Sequence, residues 1–255
     1  LLFFVMKFNV YSAMTLGARS IQEDCILDGV DQFQDDELIS EREIIGATLL
    51  LAVCDGMGGH DKGDEASRFV CEQLKNISHD CITDAEKLKE ILAGIQGVAL
   101  GKLPENCGTT VAGIFVSGHK IIAFNAGDSR VYKVAPEGLK YISHDHSLVQ
   151  EMVDKSLIPD NAAKDHPLKN LIEFGFGPIF ADAWERHNVY IYETILEDGD
   201  IYLLCSDGLM DAMRDVLIHD CLMQSSEDLG PRLFELMKRK RLNDNTSFII
   251  VKIHH

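Results

Sequence analysis

The chain has no closely spaced cysteine pair, and its seven cysteines are an odd total. That argues against a disulfide framework and a zinc site, and it suits a reducing compartment. Basic residues are scarce too. Lys and Arg number 24 against 41 Asp and Glu, giving a formal net charge of −17, and the longest basic run is Lys238-Arg239-Lys240-Arg241. Phosphate backbones attract Lys and Arg patches, so no nucleic-acid partner is expected. No stretch is long and apolar enough to cross a bilayer. The opening Leu1-Leu2-Phe3-Phe4-Val5 is too short to span and lacks a basic flank and a cleavage site, so it reads as an edge strand rather than a signal. We therefore expect no membrane association and a cytoplasmic location. Internal repeats and Pro/Gly/Ser-rich linkers are also lacking. With 255 residues, 46% of them hydrophobic, the chain is expected to form one domain over residues 1–255.

What is present is a set of short acidic motifs beside apolar, strand-like runs: Asp55-Gly56-Met57-Gly58-Gly59-His60, Ser206-Asp207-Gly208 and Asp244-Asn245. An aspartate next to glycine at the mouth of a buried strand can turn its carboxylate and a neighbouring carbonyl toward a hard cation, because glycine permits a sharply turned backbone. Three such sites point to one metal centre and to metal-assisted hydrolysis.

Thr48 to Cys54 is a continuous apolar run ending at Asp55, the pattern of a strand covered on both faces. Ala66, Phe69, Val70, Leu74 and Ile77 recur at helical spacing, and Leu88 to Ala99 repeat it behind an N-cap candidate, Asp84. Thr109–Val116 and Ile121–Val134 bracket Ser117-Gly118-His119-Lys120 as a hairpin whose second arm carries Ala126-Gly127-Asp128-Ser129-Arg130. A helix is expected from Ser147 to Leu157. The stretch from Asp160 to Ala183 has no clean period and reads as a mobile loop, within a lid segment of about 145–183. Val189–Leu196 and Ile201–Cys205 resemble a hairpin, one or two helices fill 211–241, and Ser247–Ile253 closes as a strand. Strands, then consecutive helices, then more strands argue for an antiparallel sandwich with helices outside.

In this order the motifs resemble those of the metal-dependent protein serine/threonine phosphatases of type 2C, in their compact bacterial form. The resemblance covers about Gly17 to Val251. It rests on Arg19-Ser20-Ile21-Gln22-Glu23-Asp24, Asp55-Gly56-Met57-Gly58-Gly59, Gly108-Thr109-Thr110, Ala126-Gly127-Asp128-Ser129-Arg130, Asp145-His146-Ser147, Ser206-Asp207-Gly208-Leu209-Met210-Asp211 and Asp244-Asn245-Thr246-Ser247. It implies an α+β fold, a four-layer α-β-β-α sandwich with two central antiparallel sheets. It also implies hydrolysis of phosphoserine and phosphothreonine in proteins by a water activated between two metals, opposing a Ser/Thr kinase. The chain is expected to act as a monomer.

Carried over by residue, Asp55 bridges both metals, Asp207 and Asp244 hold the first, and the Gly56 carbonyl contacts the second. Glu23 and Asp24 act through water. Asp128 and Asp211 are candidates for a third, weaker metal. An all-oxygen set favours Mn²⁺ or Mg²⁺ over zinc. Arg19 is the phosphate-gripping candidate, since a guanidinium offers bidentate donors. Met57 stands where animal members often have a histidine, so a metal-bound water is expected to protonate the leaving group, with His60 a lesser candidate. Gln22 replaces the usual asparagine. Residues 171–178 depart most from the family, which leaves substrate preference open. The reading from a different class is a pseudophosphatase, the same fold kept as a phosphoprotein-binding module.

Plainer readings apply to several of these residues. Asp beside Gly is common in turns, and Asp145-His146-Ser147 reads as a helix N-cap, because adjacent residues cannot form a nucleophilic relay.

Overall fold

Leu49, Leu51 and Val53 enter one buried cluster while Leu50, Ala52 and Cys54 enter another, because successive side chains of a strand point to opposite faces. A strand that feeds two cores must lie between layers. The computed structural model describes residues 5–58, 62–224 and 228–254. The expectations for Leu1–Phe4, Gly59 and His60 fall outside these residues.

In chain order the elements are β1 (Met6–Thr15), β2 (Asp24–Leu27), β3 (Gln32–Phe33), β4 (Glu37–Gly46), β5 (Thr48–Gly58), α1 (Gly63–Lys75), α2 (Ala85–Lys102), β6 (Cys107–Thr109), β7 (Val111–Ser117), β8 (Lys120–Ala126), β9 (Arg130–Ala135), β10 (Gly138–Tyr141), α3 (Leu148–Asp154), β11 (Tyr190–Ile195), β12 (Ile201–Cys205), α4 (Asp207–Ala212), α5 (Asp215–Met223), α6 (Leu229–Lys238) and β13 (Thr246–His254). One sheet has the order β10-β9-β12-β13-β1-β4. The other has β11-β8-β7-β5-β2-β3, with β6 beside β5. All pairings are antiparallel.

The inner faces meet over Phe8, Leu51, Ile114, Leu204 and Val251. Val70 and Leu74 of α1 and Leu88 and Leu92 of α2 cover the outer face of the β5 sheet. Leu209, Ile218, Leu233 and Phe234 of α4 to α6 cover the other. The result is the expected four-layer α-β-β-α sandwich. No described helix is long and apolar enough to cross a membrane.

Four expectations need correction. β5 does not stop at Asp55 but runs to Gly58, because Gly56, Met57 and Gly58 pair with β6. The arm expected over 121–134 is two strands in opposite sheets, and the chain crosses between them at Gly127, whose φ of +100° suits glycine. β11 and β12 are not a hairpin: β11 pairs with β8, and β12 with β9 and β13. The helix expected from Ser147 to Leu157 ends at Asp154, before Ser156 at φ +57°.

Between Asp160 and Ala183 the chain takes two forms. Asp160–Ala162 is a single 3₁₀ turn with no buried residue. From Phe174 onward, Phe174, Phe176, Phe180 and Ala183 are buried against the α1–α2 layer.

Candidate metal centre

The cleft at one end of the sandwich has a volume of about 250 Å³ and is lined by Arg19, Glu23, Asp55, Asp128, Asp207 and Asp244, with Gly56, Met57 and Asn170. Its carboxylates come from separate elements. Asp55 lies within β5 and faces Asp24 of β2 as its cross-strand partner. Asp207 opens α4, Asp128 sits in the β8–β9 crossing, and Asp244 precedes β13.

The backbone around Asp55 is fixed on both sides. Thr110 N–H donates to the Asp55 carbonyl at 2.9 Å, as does the Thr109 hydroxyl at 2.8 Å, and Asp55 N–H donates to Thr110 Oγ1 at 3.2 Å. The next residue has to be glycine. Gly56 N–H donates to the Glu23 carbonyl at 3.0 Å, and a Cβ there would lie 2.1 Å from the Gly63 carbonyl oxygen. The Gly-Thr-Thr motif is thus the scaffold of the central aspartate.

Sequence reasoning gave Asn245 no role of its own, yet it holds the loop that carries Arg19. Its Oδ1 accepts from Glu23 N–H at 2.9 Å, and its Nδ2 donates to the carbonyls of Leu16 and Ile21, each at 3.1 Å. Asn170, which also lines the cleft, was missed as well. Nothing in its local sequence marks it, since only folding brings it into the cleft that Arg19 lines. Asp145 does more than flank a cap. It takes a three-bond grip from Arg130 at 2.6–3.1 Å, while Ser147 caps α3 by accepting from Gln150 N–H.

The electrostatics favour a cation. Burial, followed by repulsion from Asp24, Asp207, Asp128 and Asp244, holds the Asp55 carboxyl well above the usual carboxylate range. Burial also pushes Asp24 up to about 7, opposed by the hydrogen bond that Ser206 Oγ donates to its Oδ2 at 2.9 Å. Asp207 rises to about 6, first through burial and then through Asp244 and Asp211. Asp128 is raised by burial and by Asp207 and Asp145. Carboxylates crowd together at such a cost when a positive charge joins them.

Among the described residues, no group of three Asp, Glu, His or Cys side chains stands ready to hold an ion as placed. Two of the expected ligands face basic partners instead. Asp244 Oδ2 accepts from Arg19 Nη2 at 2.6 Å, and Asp211 pairs with Lys169. The donor set nevertheless fits a hard divalent ion. It is all oxygen, and Asp24 Oδ1 is buried with no hydrogen-bond partner.

The protein phosphatase 2C family model matches residues 29–244. The chain belongs to that family. The serine/threonine protein phosphatase PstP of Mycobacterium tuberculosis is 31% identical over 225 residues, which are 84% of this chain and 42% of that protein. The chain thus spans less than half of that relative's length. The crystal structure of Mycobacterium tuberculosis PstP/Ppp matches with a TM-score of 0.79 at 27% identity, covering 98% of this chain and 100% of that one. The PstP catalytic domain solved in complex with two manganese ions matches with a TM-score of 0.75 at 25% identity, over 98% and 100% of the two chains.

Proposed function

We propose that this chain is a Mg²⁺- or Mn²⁺-dependent protein phosphatase that removes phosphate from serine and threonine in proteins and opposes a Ser/Thr kinase. One observation carries the reading: five aspartates, Asp24, Asp55, Asp128, Asp207 and Asp244, converge from separate elements on one end of the sandwich, with Arg19 at the rim. The printed names of the relatives and the two manganese ions in one of them support it. The pseudophosphatase reading is not favoured, because every position matched as a side-chain ligand is still acidic.

We assign Asp55 as the shared ligand, Asp207 and Asp244 to one cation and the Gly56 carbonyl to the other. Glu23 and Asp24 hold water, and Asp128 and Asp211 form a weaker third position. Bound by these residues, divalent cations would supply the Lewis acidity that makes a water nucleophilic and offsets phosphoryl charge. The chain's own part is positional. Arg19 exchanges Asp244 for two phosphate oxygens, and the Asn245 clamp keeps its loop at the right depth. Met57 has no proton to give, so the leaving serine or threonine oxygen takes one from water in the cleft. The seven free cysteines fit a cytoplasmic setting.

Asp207→Asn and Asp244→Asn are each expected to abolish phosphate release from a phosphothreonine peptide while keeping the wild-type circular dichroism spectrum. A near-normal rate in a folded variant removes that residue from the ligand set.

A further inference from the structure

Beside the cleft lies a second hollow of about 340 Å³, bounded by Asp128, Asp207 and Asp211 on one side and by Lys164, Lys169 and Asn170 on the other. Asp207 and Asp211 are four residues apart on α4 and so share one face of that helix. Lys169 forms an ion pair with Asp211. Lys164 Nζ donates to the Met213 carbonyl just beyond α4, at 3.2 Å. Two lysines of one segment therefore strap it to the helix that begins with a central aspartate. The far side of the segment is tied down separately: Leu148 N–H donates to the Leu171 carbonyl at 2.9 Å, and Glu173 N–H to the His146 carbonyl at 2.8 Å.

We propose that Lys169 is a built-in cation: its ammonium group and a divalent cation compete for Asp211, so filling a third metal position releases the 164–169 segment from α4. The proposal rests on the metal-dependent reading above and adds a regulatory residue to it. An ammonium on a flexible stem is a point charge that can leave without breaking a bidentate grip, which makes it an exchangeable partner for a carboxylate. With Lys169 in place, the repulsion between Asp207 and Asp211 is partly relieved. Without it, that relief has to come from a bound cation. Because the two events are linked, each opposes the other by the same factor.

Equilibrium dialysis of Mn²⁺ against the metal-stripped chain tests this without reference to turnover. In the wild type, two tight ions and one weak ion are expected. Lys169→Gln should tighten the weak class roughly tenfold, within the usual range of coupling between two ligands, and leave the tight class unchanged. Lys169→Arg, whose guanidinium can hold Asp211 through two donors, should weaken the weak class instead. Hydrogen exchange over residues 160–170 of the wild type should rise at the Mn²⁺ concentration that fills the weak class. An unchanged weak class in Lys169→Gln, or exchange that does not respond, overturns the proposal and leaves the two-ion reading standing. If Lys169→Gln does not fold, the wild-type exchange decides: a rise over residues 160–170 as the weak class fills supports the proposal, and exchange that stays flat overturns it. A folded wild type that binds no Mn²⁺ at all overturns both readings.

Discussion

Arg19 is half-exposed and already committed, held by Asp244 at 2.6 Å and facing Glu23 at 3.8 Å. A guanidinium that must trade one anion for another contributes the difference between the two, not the whole of a phosphate contact. Arg19→Ala should therefore act mainly on binding. We expect KM for a phosphothreonine peptide to rise about tenfold, the equivalent of about 1.4 kcal/mol, with a smaller fall in kcat. Steady-state kinetics on the Mn²⁺-loaded variant checks this, and an unchanged KM would argue against direct phosphate contact. Asn245 belongs to the same scale. Its three hydrogen bonds fix the Arg19 loop, although in the sequence it is only the neighbour of an aspartate.

At the scale of elements, local chemistry was legible and pairing was not. Asp84 caps α2 by accepting from Lys87 N–H, as its place before an apolar 3.6-residue pattern implies. The apolar run of Thr48–Cys54 is the central strand, covered on both faces. What the pattern does not carry is which sheet a strand joins. Glu197-Asp198-Gly199-Asp200 has the composition of a hairpin turn, with Gly199 at φ +83°, yet it links strands of opposite sheets. Leu196 is buried in the core between them, on the way across. Likewise, Gly127 and Gly118 both take positive φ, but Gly118 closes a hairpin and Gly127 redirects the chain. Alternation reports that a strand has two faces, and only long-range pairing decides what covers them. β1 and β4, which carry no motif, were left unassigned for the same reason. The aspartates that line the cleft were readable because each belongs to a motif. Asn170 was not, because its neighbours in space are remote in sequence.

At the scale of the whole molecule, the carboxylate cluster sets a stability cost in the absence of metal. In the metal-free fold, Asp24 titrates at about 7 and Asp207 at about 6, against roughly 4 for an unfolded aspartate. The folded state thus keeps protons that the unfolded state releases. The stabilisation linked to those protons is fully present below about pH 4 and is lost as pH rises through 6 to 7. The melting temperature of stripped protein should accordingly fall between pH 5.5 and pH 8, and Asp24→Asn should flatten that fall. The difference between the two proteins separates this effect from His146, whose pKa is lowered by burial and which acts in the opposite direction. Saturating Mn²⁺ should reverse the slope, because ligands bind a cation in their deprotonated form. Equal slopes for wild type and Asp24→Asn would show that the cluster does not carry this cost.

The central claim is that these aspartates make a divalent-cation-dependent phosphatase. Its most direct test is phosphate release from a phosphothreonine peptide by the metal-stripped wild-type chain, with Mn²⁺, Mg²⁺, Ca²⁺ or no metal restored. Release that requires Mn²⁺ or Mg²⁺ is the expected result. Equal release without metal, or none under any condition from protein shown to be folded, would contradict it.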